Sequence, residues 1–375
     1  MSMVIHTSRF HTFDDFFYAG IIHSERKSRR IEGTGMTDTP ILIWGAGAIG
    51  GTIGAFLARA GKDVLFVDRV AEHVAAINES GMRISGPVAE FTTSARATMP
   101  EGLNGKYDTV FLCVKGQDTV GAVEALKPHL AERGCVVSIQ NGLNETVIAD
   151  MIGAERTVGA FINFGADYHG PGHIFYGGRS AVVVGEIDGT ITPRSEELHA
   201  LLKIFDDEAI LTDNVWGYLW SKMGYISLLF ATALVDATID EVMASKPHQA
   251  LHTELAREVM SVAEAKHLKL ESFDPFEPTG FIKDADATAT QQAFDRMVDY
   301  RNRSEKKYSG MWRDIAIRKR KTEVNELLVP FVREAEALGV PTPLNKRMIE
   351  LVYDIEEGRR NQSWETLDVL KAEMS

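Results

Sequence analysis

Six residues, Gly45-Ala46-Gly47-Ala48-Ile49-Gly50, limit what this chain can fold into more than any other stretch. They follow the apolar run Ile41–Trp44 and open a helical pattern over Ile49–Ala60, the setting in which a G-x-G-x-x-G spacing acquires physical meaning. Gly45 permits the tight turn, Gly47 lets backbone amides approach a pyrophosphate, and Gly50 lets the helix pack on the strand. Ala48 and Ile49 stand at the helix N-terminus that faces the anion.

From Ile41 onward short β-branched runs alternate with helical stretches, the signature of a parallel sheet wrapped by helices. Strands are expected over Ile41–Trp44, Asp63–Val67, Thr109–Val114, Cys135–Ile139, Thr157–Phe164 and Ser180–Gly185, and helices over Ile49–Ala60, Ala71–Ser80 and Thr119–Ala131. Arg83–Ile84 and Phe91–Ala95 read as a hairpin around Gly86-Pro87. Past Asp213 the period changes: Val215, Leu219, Ile226 and Leu229, then Leu255, Val259 and Val262, then Val324, Leu327, Leu328, Phe331 and Val332 recur at helical spacing. The fold class is therefore an α/β dinucleotide-binding domain over residues 39–212 followed by an all-α domain over residues 213–375. Residues 1–38 read as an extension with no assigned function, a disordered tail or a start placed too early.

Charge and cysteine content narrow the partners. Forty Lys+Arg against 53 Asp+Glu give a formal charge of −13, which offers no support for a basic nucleic-acid surface or a polybasic membrane anchor. A small molecule is the expected partner, bound by a monomer or homodimer. Cys113 and Cys135 both lie in apolar runs and read as reduced core thiols rather than a disulfide or metal site. The apolar segment from Asn214 to Val235 is interrupted by Gly217, Ser221, Lys222 and Gly224 and reads as a buried helix, not a membrane span. The reduced thiols lead to the expectation of a cytoplasmic location, and the N-terminal residues lack the order of a signal peptide.

Two further places carry chemistry. Asp68 and Arg69 close the second strand, roughly 20 residues after the glycines, where an acid usually accepts the ribose hydroxyls. The carboxylate favours NAD(H) and repels a 2′-phosphate, the guanidinium favours NADP(H), and Asp68 also suits a plain helix cap. Lys222 is the only charged residue between Asp213 and Asp236, on one helical stripe with Val215, Leu219, Ile226 and Leu229. An ammonium on an apolar face either snorkels to water or is tuned by burial and a nearby anion to exchange a proton.

Together these residues resemble the ketopantoate reductases (2-dehydropantoate 2-reductases), which join an N-terminal Rossmann domain to a helical C-terminal domain. The similarity runs from Pro40 to about Gly358 on five motifs in order: the Gly45–Gly51 loop, Val114-Lys115 with Gln117, Gln140-Asn141-Gly142, Trp220-Ser221-Lys222, and Ser309-Gly310-Met311 leading to Asp314 and Thr322-Glu323. The resemblance implies that Lys222 is the proton donor to the substrate carbonyl, that Glu323 binds substrate from the far side of the cleft, and that Asn141 meets the nicotinamide side of the cofactor. It places Lys115 beside the cofactor phosphates and Ser309 on the substrate side. Read alone, Asn141-Gly142 is also a turn dipeptide, Lys115 a solvated strand end, and Glu323 an acid in a helix first turn.

The implied activity is hydride transfer between NAD(H) or NADP(H), with Asp68 tilting toward NAD(H), and a small carboxylic acid: 2-dehydropantoate of pantothenate biosynthesis or a related 2-oxo or hydroxy acid. No metal is implied. The chain also departs from the family pattern. Ile226 and Phe230 stand where asparagines usually follow the lysine by four and eight positions, Gly310 replaces a serine, and one extra residue separates Met311 from Glu323. These changes remove hydrogen-bonding groups from the substrate side, so a dehydrogenase of another hydroxy or sugar acid and a non-catalytic nucleotide sensor stand as alternatives. Arg313, Arg318, Lys319, Arg320 and Lys321 read mainly as a solvated face, from which one cation, or Lys307, could hold a substrate carboxylate.

Overall fold

The computed structural model describes residues 39–303 and 307–374; the extension expected over residues 1–38 lies outside them. The α/β half runs β1 (Ile41–Trp44), α1 (Ala48–Arg59), β2 (Val64–Val67), α2 (Ala71–Ser80), β3 (Met82–Ser85), β4 (Phe91–Thr93), β5 (Arg96–Thr98), β6 (Tyr107–Leu112), α3 (Thr119–Leu126), β7 (Leu130–Ser138), α4 (Asn144–Ile152), β8 (Thr157–Ile162), β9 (Gly165–Gly170), β10 (His173–Gly178), β11 (Val182–Glu186), α5 (Pro193–Phe205) and β12 (Ile210–Leu211). The helical half follows as α6 (Val215–Ala233), α7 (Ile239–Met243), α8 (Gln249–Ala265), α9 (Ala287–Arg303), α10 (Gly310–Ala316), α11 (Val324–Ala337), α12 (Pro343–Glu356) and α13 (Trp364–Ala372).

All four residues of β1 are buried, as expected of a strand covered on both faces. It lies inside an eight-stranded sheet of order β12-β11-β8-β7-β6-β1-β2-β5, parallel except where β11 meets β8. The chain leaves β1 for β2 on one side and later returns as β6 on the other. The crevice beyond the ends of β1 and β6 is the switch point at which such sheets bind ligands. A second sheet, β4-β3-β10-β9, covers α1, with Ile174 and Tyr176 sharing a core with Ile53 and Leu57.

The expected strands are present with small shifts, and three local differences stand out. The helix expected to reach Ala131 ends at Leu126, because Pro128 sits in a single 3₁₀ turn and the chain then enters β7 at Leu130. The hairpin at Gly86-Pro87 forms, but the next residues make β5, which leaves the hairpin and pairs with β2 at the edge of the main sheet. His173–Gly178 and Gly165–Gly170 form an antiparallel pair around the Gly170-Pro171-Gly172 turn. Cys113 and Cys135 are both free thiols, and burial pushes Cys135 up to about 11.

Helix α6 is the axis of the helical half. Asn214 caps it by accepting from the Gly217 N–H at 3.3 Å, and its apolar surface packs on Phe161 and Val183 of the sheet and on helical neighbours such as Val259 and Met260. Deep in its interior the Ser227 hydroxyl donates to Asn345 at 2.6 Å, and Asn345 donates to Glu258 at 2.8 Å, so the helix is fixed along its length as well as by apolar contact. No described helix is long and apolar enough to cross a membrane.

Two buried side chains give stability predictions. Phe230, fully buried in this helical core, should lose about 3–5 kcal/mol of unfolding free energy as Phe230→Ala, measured by urea denaturation. Glu145 of α4 is buried beside Ser138, and burial pushes its carboxyl up to about 8 against the opposing pull of Ser138 and Lys222. The unfolded chain ionises this group from about 4.5, so stability should fall with rising pH between those values at roughly 1.4 kcal/mol per unit. Glu145→Gln should flatten that slope in urea titrations run at about pH 5 and about pH 7.5; an unchanged slope would mean that the carboxyl is ionised in the fold.

Candidate active site

A cleft of about 920 Å³ lies between the C-terminal edge of the main sheet and the helical half. On the sheet side it is floored by Gly45, Gly47, Ala48 and Ile49 and walled by Asp68 and Asn141. Gly45 has φ +98°, and a Cβ there would press within 3.0 Å of the backbone at Cys113 and Val114, so only glycine makes this turn. A Cβ on Gly50 would stand 2.1 Å from the Gly45 carbonyl oxygen, which makes Gly50 a packing residue behind the loop rather than part of the cleft wall. At Gly47 the same test meets nothing within 4 Å, and α1 carries no acid in its first turn. Open space in front of unshielded helix N–H groups is what a pyrophosphate requires, so these residues fit a bound dinucleotide.

Ala46 is gripped from both sides. Its N–H donates to Asp68 Oδ2 at 2.9 Å, and its carbonyl lies 2.8 Å from His73 Nε2. His73 Nδ1 accepts from the Gly172 N–H at 2.8 Å, so Nε2 carries the proton and donates. Asp68 Oδ1 also accepts from the Val70 N–H at 3.0 Å, just ahead of α2. Its carboxylate thus fixes the loop at the place where the sequence puts the ribose acid. Arg69 turns to Asp118 at 2.8 Å.

On the helical side α6 presents Lys222, Tyr225, Ile226 and Leu229 to the cleft, the i, i+3, i+4 and i+7 positions of one face. Lys222 is 7% exposed; its ammonium donates to the Ile162 carbonyl at the end of β8 and lies 5.1 Å from the Phe161 ring centre. Ile226 faces the cleft, whereas Phe230 is enclosed in the helical core. Of the two positions where the family pattern has asparagines, Ile226 lines the cleft and Phe230 does not.

A chain of ion pairs joins the two sides. Lys115 Nζ lies 3.1 Å from Asp314 Oδ2 and 3.0 Å from Glu323 Oε2, and the Gly116 N–H donates to Glu323 Oε1 at 3.2 Å. Asp314 also accepts from Arg318 at 2.8 Å and Arg320 at 2.9 Å. Burial works against its charge, yet Arg318, Lys115 and Arg320 hold its carboxyl below the usual carboxylate range. Arg313 grips Asp167 of β9 through two contacts of 2.7 and 2.8 Å.

The structure thus gathers Lys222, Glu323, Asn141, Lys115 and the glycine loop around one cleft. Lys115 meets Glu323 and Asp314 directly. Ser309 is buried as the cap of α10, its Oγ accepting from the Trp312 N–H at 3.1 Å, while Gly310 beside it has open space around its Cα. Arg313, Arg318 and Arg320, expected on a solvated face, line the cleft because the buried Asp314 and the half-buried Asp167 draw them in. Sequence reading missed His73, Tyr225 and Arg301. Tyr225 was within reach of it, since three residues past Lys222 is the same helix face.

The family model for ketopantoate reductase PanE/ApbA matches residues 41–189, and that for the C-terminal part of ketopantoate reductase PanE/ApbA matches residues 214–356. A 2-dehydropantoate 2-reductase of Archaeoglobus fulgidus is 27% identical over 321 residues, which cover 85% of this chain and 98% of the relative. The crystal structure of a PanE/ApbA family ketopantoate reductase from Ralstonia eutropha JMP134 superposes with a TM-score of 0.71 at 27% identity, covering 85% of this chain and 99% of that one. A D-mandelate dehydrogenase solved with NADH and anilino(oxo)acetate shares the fold, at a TM-score of 0.74 and 19% identity over 85% of this chain and 99% of that one. With both halves matched in order, the chain belongs to the ketopantoate reductase family, oxidoreductases that act on CH–OH groups.

Proposed function

We propose that this chain interconverts a 2-oxo acid and its 2-hydroxy acid with a nicotinamide dinucleotide, and that Lys222 is the proton donor. The observation that carries this reading is the Lys222 ammonium, held at the cleft on the Ile162 carbonyl by an otherwise apolar helix face. In this reading residues 39–212 form the nucleotide domain and residues from 213 onward the substrate domain. The dinucleotide, when bound, supplies or accepts a hydride at C4 of its nicotinamide ring. Gly45, Gly47, Ala48 and Ile49 would hold its pyrophosphate, Asp68 the adenosine ribose, and Asn141 the nicotinamide side.

As a substrate carbonyl is reduced, negative charge grows on its oxygen. The Lys222 ammonium stabilises that charge and transfers a proton to it, so one group serves as electrostatic and general-acid catalyst. Partial burial strengthens the interaction because little water screens it. Glu323 bonds the Gly116 N–H and Lys115, and in this reading keeps the helical wall in register with the nucleotide side and helps orient the substrate. Lys115 would lie beside the nucleotide phosphates while it pairs with Asp314 and Glu323.

Two outcomes check the proposal. Lys222→Met, which keeps the apolar packing, should cut kcat by about 10²–10⁴-fold while nucleotide affinity stays near normal. A near-normal kcat with intact nucleotide binding would remove Lys222 from the chemistry. The second concerns the nucleotide: in this reading the Asp68 carboxylate meets the adenosine ribose, while Arg69 is turned toward Asp118 at 2.8 Å. kcat/KM should therefore favour NADH over NADPH by about tenfold, equivalent to ~1.4 kcal/mol. The reverse preference would show that Arg69 reads the ribose.

A further inference from the structure

Six cleft-lining arginines are described, and five of them meet a carboxylate: Arg69 with Asp118, Arg179 with Asp206, Arg313 with Asp167, and Arg318 and Arg320 with Asp314. The sixth, Arg301 at the end of α9, has a neutral partner. Its Nε donates to the Tyr225 hydroxyl at 2.7 Å, a second guanidinium nitrogen reaches the same oxygen, and no described carboxylate pairs with it. One phenol oxygen cannot use a five-donor fork, and a half-buried guanidinium with no counter-ion among the described residues is suited to receive an anion.

Its position suits a substrate rather than the nucleotide. Tyr225 is three residues past Lys222 on the same face of α6, so the receptor and the proposed proton donor are fixed by one rigid helix turn. Apolar side chains share this part of the cleft lining. Ile226 and Leu229 continue that face, Ile239 and Met311 line the cleft, and the Tyr300 ring lies 5.5 Å from the Arg301 guanidinium. Tyr308 stacks on Trp312 at 3.8 Å, extending the aromatic wall.

We infer that Arg301, steadied by the Tyr225 hydroxyl, anchors the substrate carboxylate, and that the substrate is a 2-oxo acid with an apolar side chain. The inference rests on the oxidoreductase reading above and adds to it the acid-binding group and the substrate class. A hydroxylated side chain would bury its O–H against Ile226 and Leu229 with few partners, whereas a branched or aromatic one fills the same space favourably. The paired arginines are poor rivals, because drawing Arg318 or Arg320 onto a substrate would weaken the compensation of the buried Asp314.

The test is steady-state reduction of 4-methyl-2-oxopentanoate, phenylpyruvate, pyruvate and 2-dehydropantoate by wild type, Arg301→Gln, Arg301→Lys and Tyr225→Phe, with nucleotide affinity measured for each. Arg301→Gln should raise KM for the favoured acid by about 10- to 100-fold and leave kcat within about threefold, with Arg301→Lys between it and wild type. The amide of phenylpyruvate, which lacks the carboxylate, should not distinguish wild type from Arg301→Gln. If Arg301→Gln loses nucleotide binding and so fails to fold, Arg301→Lys and Tyr225→Phe decide by the same KM shift. An unchanged KM with intact nucleotide binding overturns the anchor, and preference of the wild type for 2-dehydropantoate over 4-methyl-2-oxopentanoate overturns the apolar side chain. A wild type that binds nucleotide and reduces none of the acids overturns the underlying oxidoreductase reading, and this inference with it.

Discussion

The ammonium of Lys222 rests on the carbonyl that ends β8, and the architecture of the cleft follows from the need to hold a cation there. Removing an ammonium from water costs several kcal/mol unless dipoles or opposite charge replace its hydration. A strand end can do this, because its carbonyl is aimed by a ladder that the rest of the sheet keeps rigid. The Phe161 ring face lies close by, and the field of Lys222 reaches Glu145 in the layer beneath. Helix α6 contributes the other requirement, a stiff apolar support that fixes Lys222, Tyr225 and Ile226 relative to one another. Its buried Ser227–Asn345–Glu258 bonds oppose any slide along its axis.

That arrangement works only if the two halves keep their register, and the charged wall opposite Lys222 does this. Lys115 sits just past β6, while Asp314 and Glu323 come from the helical half, so their ion pairs cross the cleft. Arg313 and Asp167 form a second crossing from α10 to β9. Exposed ion pairs contribute little to stability, but here Asp314 is 3% exposed and its partners are three cations. The cluster is better understood as a positional device, since its geometry is satisfied at one spacing of the walls.

Much of this was legible in the sequence where local physics and global fold agree. The glycine loop specifies its own turn, because Gly45 and Gly50 occupy places where any side chain collides with backbone. The apolar stripe around Lys222 likewise announced a buried cation before its partner was known. What stayed hidden depends on long-range pairing. Arg313, Arg318 and Arg320 form an ordinary charge run until the fold brings Asp167 and the buried Asp314 beside them. His73 bridges two loops 27 and 99 residues away, a role with no local pattern. Phe230 lies one turn beyond Ile226, yet the neighbouring helices close over it while Ile226 stays at the cleft.

The central claim is that Lys222 delivers a proton in one direction of the reaction and takes it back in the other. Its most direct test is the pH dependence of kcat in both directions on the same substrate pair. The account predicts mirror-image profiles: reduction falls on the alkaline side through a single ionisation, and oxidation of the hydroxy acid rises through the same one, because one needs the ammonium and the other the free amine. Profiles that stay flat in both directions across that range, with hydride transfer shown to be rate-limiting by a deuterium isotope effect, would contradict it.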